Sequence, residues 1–155
     1  MDKTPLVGPD FDGGRDLLEA LERAGLPIAV AAWLNLREAF DWQLYLASPD
    51  VQTYGPTTVI RFVDKILIAT QSPIPLRVIT IVNTSNNFVN KIPEYYDPSK
   101  NINLVNNTTR VIGMPFDDGY IVEGFIYKID KGVKPSKVTP KPDASALKRA
   151  KSLAA

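Results

Sequence analysis

The run Pro27-Ile-Ala-Val-Ala-Ala-Trp-Leu34 is apolar on both sides when read with the two-residue period of a strand. Ile28, Val30, Ala32 and Leu34 fall on one face, and Ala29, Ala31 and Trp33 on the other. Such a strand has to lie inside a sheet with a layer against each side, because either face left open would wet apolar surface. The alanines leave room for a bulky neighbour, and the nearest candidate is the helix that precedes them. Leu17, Leu18, Leu21 and Ala24 recur at helical spacing and predict a helix from Gly14 to Ala24. Asp12 suits its N-cap, Asp16 and Arg23 complement the two ends of its dipole, and Gly25 with Pro27 ends it.

The elements that follow have to cover that strand. Trp42 to Ser48 alternates as a second strand, with Trp42, Leu44 and Leu46 facing one way and Gln43 and Tyr45 the other. The two strands form a hairpin that Pro49 closes. A second helix starts near Pro56 and buries Val59, Ile60, Val63, Ile66 and Leu67, leaving Arg61, Asp64 and Lys65 outside. Leu76 to Asn83 is rich in Val, Ile and Thr and reads as a strand. From Asn83 to Asn107 the chain is rich in Asn and Pro, with one short helix around Phe88 to Ile92. Thr109–Met114 and Gly119–Ile129 form a closing hairpin, with a connection lengthened by Pro115 and Phe116. The expected fold class is α+β: helix, β-hairpin, helix, strand and C-terminal β-hairpin in one mixed sheet, with the helices packed on it.

Residues 1–130 form the single domain of this reading, and 131–155 a basic, Pro/Lys-rich, disordered tail. KGVKPSKVTPKP alternates Lys and Pro, and no aromatic residue follows Lys131. Asp143 is placed to cap a short final helix carrying Leu147, Ala150 and Leu153, marginal unless it docks. The net charge of +1 conceals a polarity. From Lys128 onward there are eight Lys/Arg and two Asp, a net of +6, so the first 127 residues carry −5.

No Cys and no His occur among the 155 residues. Disulfides, thiolate catalysis, serine–histidine chemistry and the usual zinc ligands are thereby excluded. No secretory h-region opens the chain, and no apolar run approaches the ~20 residues that span a bilayer, so a cytoplasmic protein without membrane contact is expected.

Few constellations suggest chemistry. Asp10-Phe-Asp12-Gly-Gly resembles the opening of a calcium loop, but Gly14 replaces a ligand and the closing Glu is missing, so cap-and-turn chemistry is the better reading. Asp117-Asp118 with Glu123 invites Mg²⁺, and turn acids explain them more simply. Gly13-Gly14 lacks any phosphate-loop context. Ser48-Pro-Asp50 offers a serine without a base and reads as a turn. Trp33, Trp42, Tyr45, Tyr54 and Phe62 would stack bases, but mixed flanking charge favours packing. No metal ligand, catalytic residue or cofactor is assigned. Asp50, Arg61 and Asp64 are the pocket candidates, together with loop residues from 83–107. In the tail, Lys131, Lys134, Lys137, Lys141, Lys148, Arg149 and Lys151 are candidates for weak, non-specific phosphate contacts.

The run RDLLEALERAGLPIAVAAWLNLREAFDWQLYLASPDV, followed by Tyr-Gly-Pro and a helix, resembles a group of small bacterial proteins of uncharacterised function. The shared features are a helix ending in Ala-Gly-x-Pro, an alanine-rich strand ending in Trp-Leu and a Trp-x-Leu strand ending in Ala-Ser-Pro. They cover the first half of the chain and carry no activity. The element order is also similar to that of roadblock-type modules, which implies dimerisation and scaffolding by fold-level analogy alone. The Asn-rich insertion departs from that pattern. The functional expectation is a non-enzymatic protein-interaction or accessory module, pairing with itself as a homodimer or with another protein. The alternative is a carboxylate-dependent enzyme or nucleic-acid-associated effector tethered by the basic tail.

Overall fold

The computed structural model describes residues 6–39, 41–91, 104–105, 108–116, 119–130 and 132–152. Helix α1 (Gly8–Arg23) starts six residues earlier than its apolar stripe predicts. The carboxylate of Asp10 accepts a hydrogen bond from the Val7 amide at 2.8 Å, so Asp10 rather than Asp12 satisfies the entrance. Strands β1 (Val30–Leu36) and β2 (Gln43–Ala47) form the expected hairpin, registered Ala31 to Leu46 and Trp33 to Leu44. A short α2 (Asp50–Tyr54) precedes α3 (Pro56–Thr70), with Gly55 between them at φ 91°, a conformation that favours glycine. After one 3₁₀ turn come β3 (Ile79–Val82) and α4 (Asn87–Lys91). β4 (Leu104–Val105), β5 (Thr108–Phe116) and β6 (Gly119–Ile129) follow, and α5 (Ala144–Lys151) is last.

The strands make one mixed sheet in the order β3-β2-β1-β6-β5-β4. β3 runs parallel to β2 and every other neighbouring pair is antiparallel. The α+β class, the mixed sheet and the packed helices therefore stand as expected. β1 is held between β2 and β6, and Ala29 to Leu34 are each at most 3% exposed. One core lies on the helix side, where Ala31, Trp33, Leu44, Leu46 and Phe125 meet Leu17 and Leu21 of α1, Phe62 and Ile66 of α3, and Ala146 and Ala150 of α5. The second core gathers Val30, Ala32, Leu34, Val111, Ile121 and Ile126 with Val89 of α4. Because the strand begins at Val30, Ile28 escapes its alternation and joins the helix-side core instead.

Three readings are corrected. Gly13, read with the turn before the helix, is helical, as Gly14 was expected to be. A Cβ on Gly14 would stand 2.4 Å from the Tyr127 hydroxyl oxygen and 2.8 Å from Trp33 Nε1, so the glycine lets α1 sit directly on the sheet. The connection between β5 and β6 is two residues long, because β5 continues through Pro115 to Phe116, opposite Gly119. The described part of β4 reaches only Thr108 and Thr109, so Pro115 lies where a missing amide hydrogen is tolerated. The third correction concerns the disordered tail. Residues 132–152 are placed against the body, and α5 contacts both α1 and α3. Composition suggested disorder because few apolar residues are available there. Two buried alanines and a set of polar bonds to distant residues hold the segment.

Candidate functional site

Those polar bonds begin at Asp50, a side chain with 0% exposure. Pro49 ends β2's exit and sets Asp50 at the first position of α2, where the Asp50 amide donates to Ser48 Oγ at 3.2 Å. The carboxylate points at the returning chain. Its Oδ1 accepts from the Ser136 amide at 2.7 Å and its Oδ2 from the Ser136 hydroxyl at 2.6 Å. The Tyr54 hydroxyl, one helical turn on, donates to the Ser136 carbonyl at 2.5 Å. Every polar group of Ser136 thus has a partner on the body, and a buried carboxylate has the two donors it needs.

From Ser136 the chain runs as a strap to Asp143, whose Oδ1 caps α5 by accepting from the Ala146 amide at 2.9 Å. α5 then docks by an exchange of arginines. Arg23, in the last turn of α1, donates from Nε to the Arg149 carbonyl at 3.2 Å and from Nη2 to the Ala150 carbonyl at 3.0 Å. Arg149, near the end of α5, donates from Nε to the Arg23 carbonyl and from Nη2 to the Ala24 carbonyl, both at 3.1 Å. Each guanidinium caps the carbonyl end of the other helix, where unpaired acceptors and the negative end of the dipole attract a cation. Arg149 Nη1 also donates to Ser145 Oγ at 2.6 Å.

Between strap and body lies a groove of about 540 Å³. Ala24, Gly25, Tyr54 and Phe62 line it from the body, Ser136 to Lys141 from the strap, and Asp143 and Arg149 from the end. Lys137 and Lys141 are exposed on its rim with no acidic partner among the described residues, and Val138 is 75% exposed.

The candidates read from the sequence are dispersed. Asp50 anchors the strap, while Arg61 and Asp64 lie on the outer side of α3 and do not line the groove. The loop proposed to accompany them falls largely outside the described residues, as do Asp117, Asp118 and Lys131. Lys134 is exposed just before Ser136, and Lys148 and Lys151 share the outer surface of α5 with Leu147. Glu123 is engaged by Arg110, whose Nε lies 2.6 Å away. Among the described residues no three acidic side chains converge in a way that could hold a metal ion. Trp33, Trp42 and Phe62 are buried in the helix-side core. Trp33 Nε1 donates to the Tyr127 hydroxyl at 2.9 Å, which in turn donates to the Phe11 carbonyl at 2.7 Å. Burial raises the Tyr127 hydroxyl well above the ordinary phenol range, and burial also raises Tyr45.

Ser136 and the Arg23–Arg149 exchange were not singled out from the sequence, and Tyr54 was named there only as a stacking aromatic. Ser136 and Asp50 are 86 positions apart, so no local pattern joins them. The one available signal was that each arginine stands in the last turn of its helix. No helix among the described residues is long and apolar enough to cross a membrane. Compared with known proteins, the chain matches no family model, no curated protein and no solved structure.

Proposed function

We propose that the chain is a non-enzymatic protein-interaction or accessory module. The observation that carries this reading is the ordered C-terminal segment, which uses the buried carboxylate of Asp50 as an anchor and displays its lysines on a fixed backbone. A carboxylate whose two oxygens are both taken by Ser136 is committed to holding chain, not to meeting a substrate. Two surfaces support self-association. Among the described strands β3 is at the sheet's edge, with four uncharged, partly exposed residues, Ile79-Thr-Ile-Val82, without the lysine or proline that guards many such edges. On α3, Ile60 and Ile68 are 39% and 64% exposed, two turns apart on one side of the helix. The roadblock-like element order supports dimerisation by analogy of fold only. Light scattering on the full chain over a wide concentration range tests the self-association. The mass is expected to rise above the 17.1 kDa of one copy, and a constant single-copy mass would defeat the homodimer.

A second reading, a nucleic-acid-associated effector, is favoured by Lys134, Lys137, Lys141, Lys148 and Lys151, all exposed on the ordered segment. Truncating after Asp130 is a poor test, because it would strip Ala146 and Ala150 from the core. Reversing the five lysines to Glu leaves that core intact. Salt-dependent gel retardation that survives the reversal would rule the segment out as the tether.

A further inference from the structure

We infer that the groove between the strap and the body binds a short acidic segment of a partner protein. The inference rests on the reading of the chain as an interaction module and supplies the partner's chemistry. The groove's volume, about 540 Å³, is that of a site for a few side chains. Of its body wall Ala24 and Phe62 are nearly buried, at 4% and 1% exposed, so the reachable apolar surface is the half-buried Tyr54 ring with the strap's Val138, 75% exposed. Its rim carries Lys137 and Lys141, two cations with no acidic partner among the described residues. Arg149 borders the groove too, but its donors are occupied by Arg23, Ala24 and Ser145.

Ordering is the second part of the argument. A lysine on a free tail loses backbone freedom when it binds, and that loss weakens the contact. Here Ser136 is pinned to Asp50 and Tyr54 on one side, and Asp143 opens a docked helix on the other. Lys137 and Lys141 are therefore presented from a strap whose two ends are already fixed.

The same geometry favours a peptide over a nucleic acid. Asp143 borders the groove close behind Lys141 in the strap, so an unbroken row of phosphates would meet a like charge that a peptide, with its carboxylates spaced apart, avoids. A peptide can set separate carboxylates against Lys137 and Lys141 and lay an apolar side chain between them on Tyr54 and Val138. Charge on the rim and apolar area in the middle is the usual anatomy of a protein-binding patch.

The experiment titrates the full-length, isotope-labelled chain with three probes and follows amide shifts and binding heat. The probes are a synthetic peptide alternating Glu and Leu, the same peptide with Gln for Glu, and an oligothymidylate. The Glu peptide is expected to shift residues 137–141 and Tyr54, and to bind about tenfold more tightly than the Gln peptide. Lys137→Glu with Lys141→Glu should weaken it by about tenfold or more. Circular dichroism of that variant should be unchanged, since both side chains are exposed. Lys148→Glu with Lys151→Glu, on the outer side of α5, should leave the affinity within about twofold. Equal binding of the two peptides, or tighter oligothymidylate binding in the groove, overturns the inference. Binding of the Glu peptide that ignores the Lys137/Lys141 reversal overturns the groove and leaves the interaction module standing. Absence of any peptide binding beside a concentration-dependent mass does the same.

Discussion

Asp50 has more to lose than any other polar side chain described, because its carboxylate is fully out of water and both its donors come from one residue. Ser136→Ala removes the hydroxyl and should lower unfolding free energy by about 1.5–3 kcal/mol, the range for a hydrogen bond to a charged group. Urea denaturation measures this, and a loss below a few tenths would mean that water replaces the hydroxyl. Gly14 is the matching case for backbone approach. Gly14→Ala gains helix propensity but drives a methyl into the Tyr127 hydroxyl, for a net loss of about 1–3 kcal/mol. Gly8→Ala meets nothing within 4 Å and should be neutral or slightly stabilising in the same melt, so the pair separates crowding from propensity. Tyr127 gives a pH prediction. Its hydroxyl is raised in the folded state, so its contribution is complete below the unfolded value near pH 10 and falls as pH climbs toward the folded value. Tyr127→Phe costs stability at neutral pH by stranding Trp33 Nε1 and the Phe11 carbonyl. It should also flatten the alkaline slope by up to about 1.4 kcal/mol per pH unit above pH 10. Chemical denaturation at several alkaline pH values would show parallel curves if the hydroxyl were not the group responsible.

Among the elements, α5 is the one whose presence depends on bonds more than on buried area. Ala146 and Ala150 are small enough to let it approach α1 and α3, yet they bury little surface of their own. The reciprocal arginine caps supply the remainder. Arg23→Ala and Arg149→Ala should each loosen α5, and because the two act on one junction, the double variant should cost less than the two losses added. A coupling of about 0.5–3 kcal/mol is expected from the double-mutant cycle. Trypsin cutting after Lys137 would accelerate in each single variant, and unaltered cleavage would show that the strap is held elsewhere. The periodic elements were legible from sequence: α1, β1, β2, α3 and the β5–β6 hairpin each carry an apolar face that repeats with their own period. The beginning of α1 was not. Gly13 and Gly14 are poor helix formers, and only the sheet beneath them explains their place. Docking of α5 was also illegible, since its caps are carbonyls on another helix 125 to 127 positions away.

At the scale of the whole molecule, an acidic body carries a basic segment laid across it. Among the described residues no ion pair joins the two: the Lys128–Glu22 pair lies within the body, and the exposed lysines of strap and α5 remain open to solvent. Raising salt should therefore change the stability of the free chain little, while weakening whatever anionic partner the lysines meet. Comparing melting temperature and binding across a salt series checks both halves. A large drop in melting temperature with salt would mean that the segment is held by charge instead of by Asp50 and the arginine caps. Residue periodicity was enough to specify an α+β chain, an inner strand dry on both sides and its hairpin with the next strand, because burial by face is written into alternation. It was also enough to mark which part of the chain is basic. Where that basic part goes could not be read in the same way. Its few apolar residues carry no period that points to a partner, and its anchor is a single buried carboxylate 86 positions earlier. Long-range complementarity of that kind exists only once helix and sheet have brought Asp50, Gly25 and Arg23 to one side of the molecule. Folding thus turned a composition that signals disorder into an ordered strap, and set the groove beneath it.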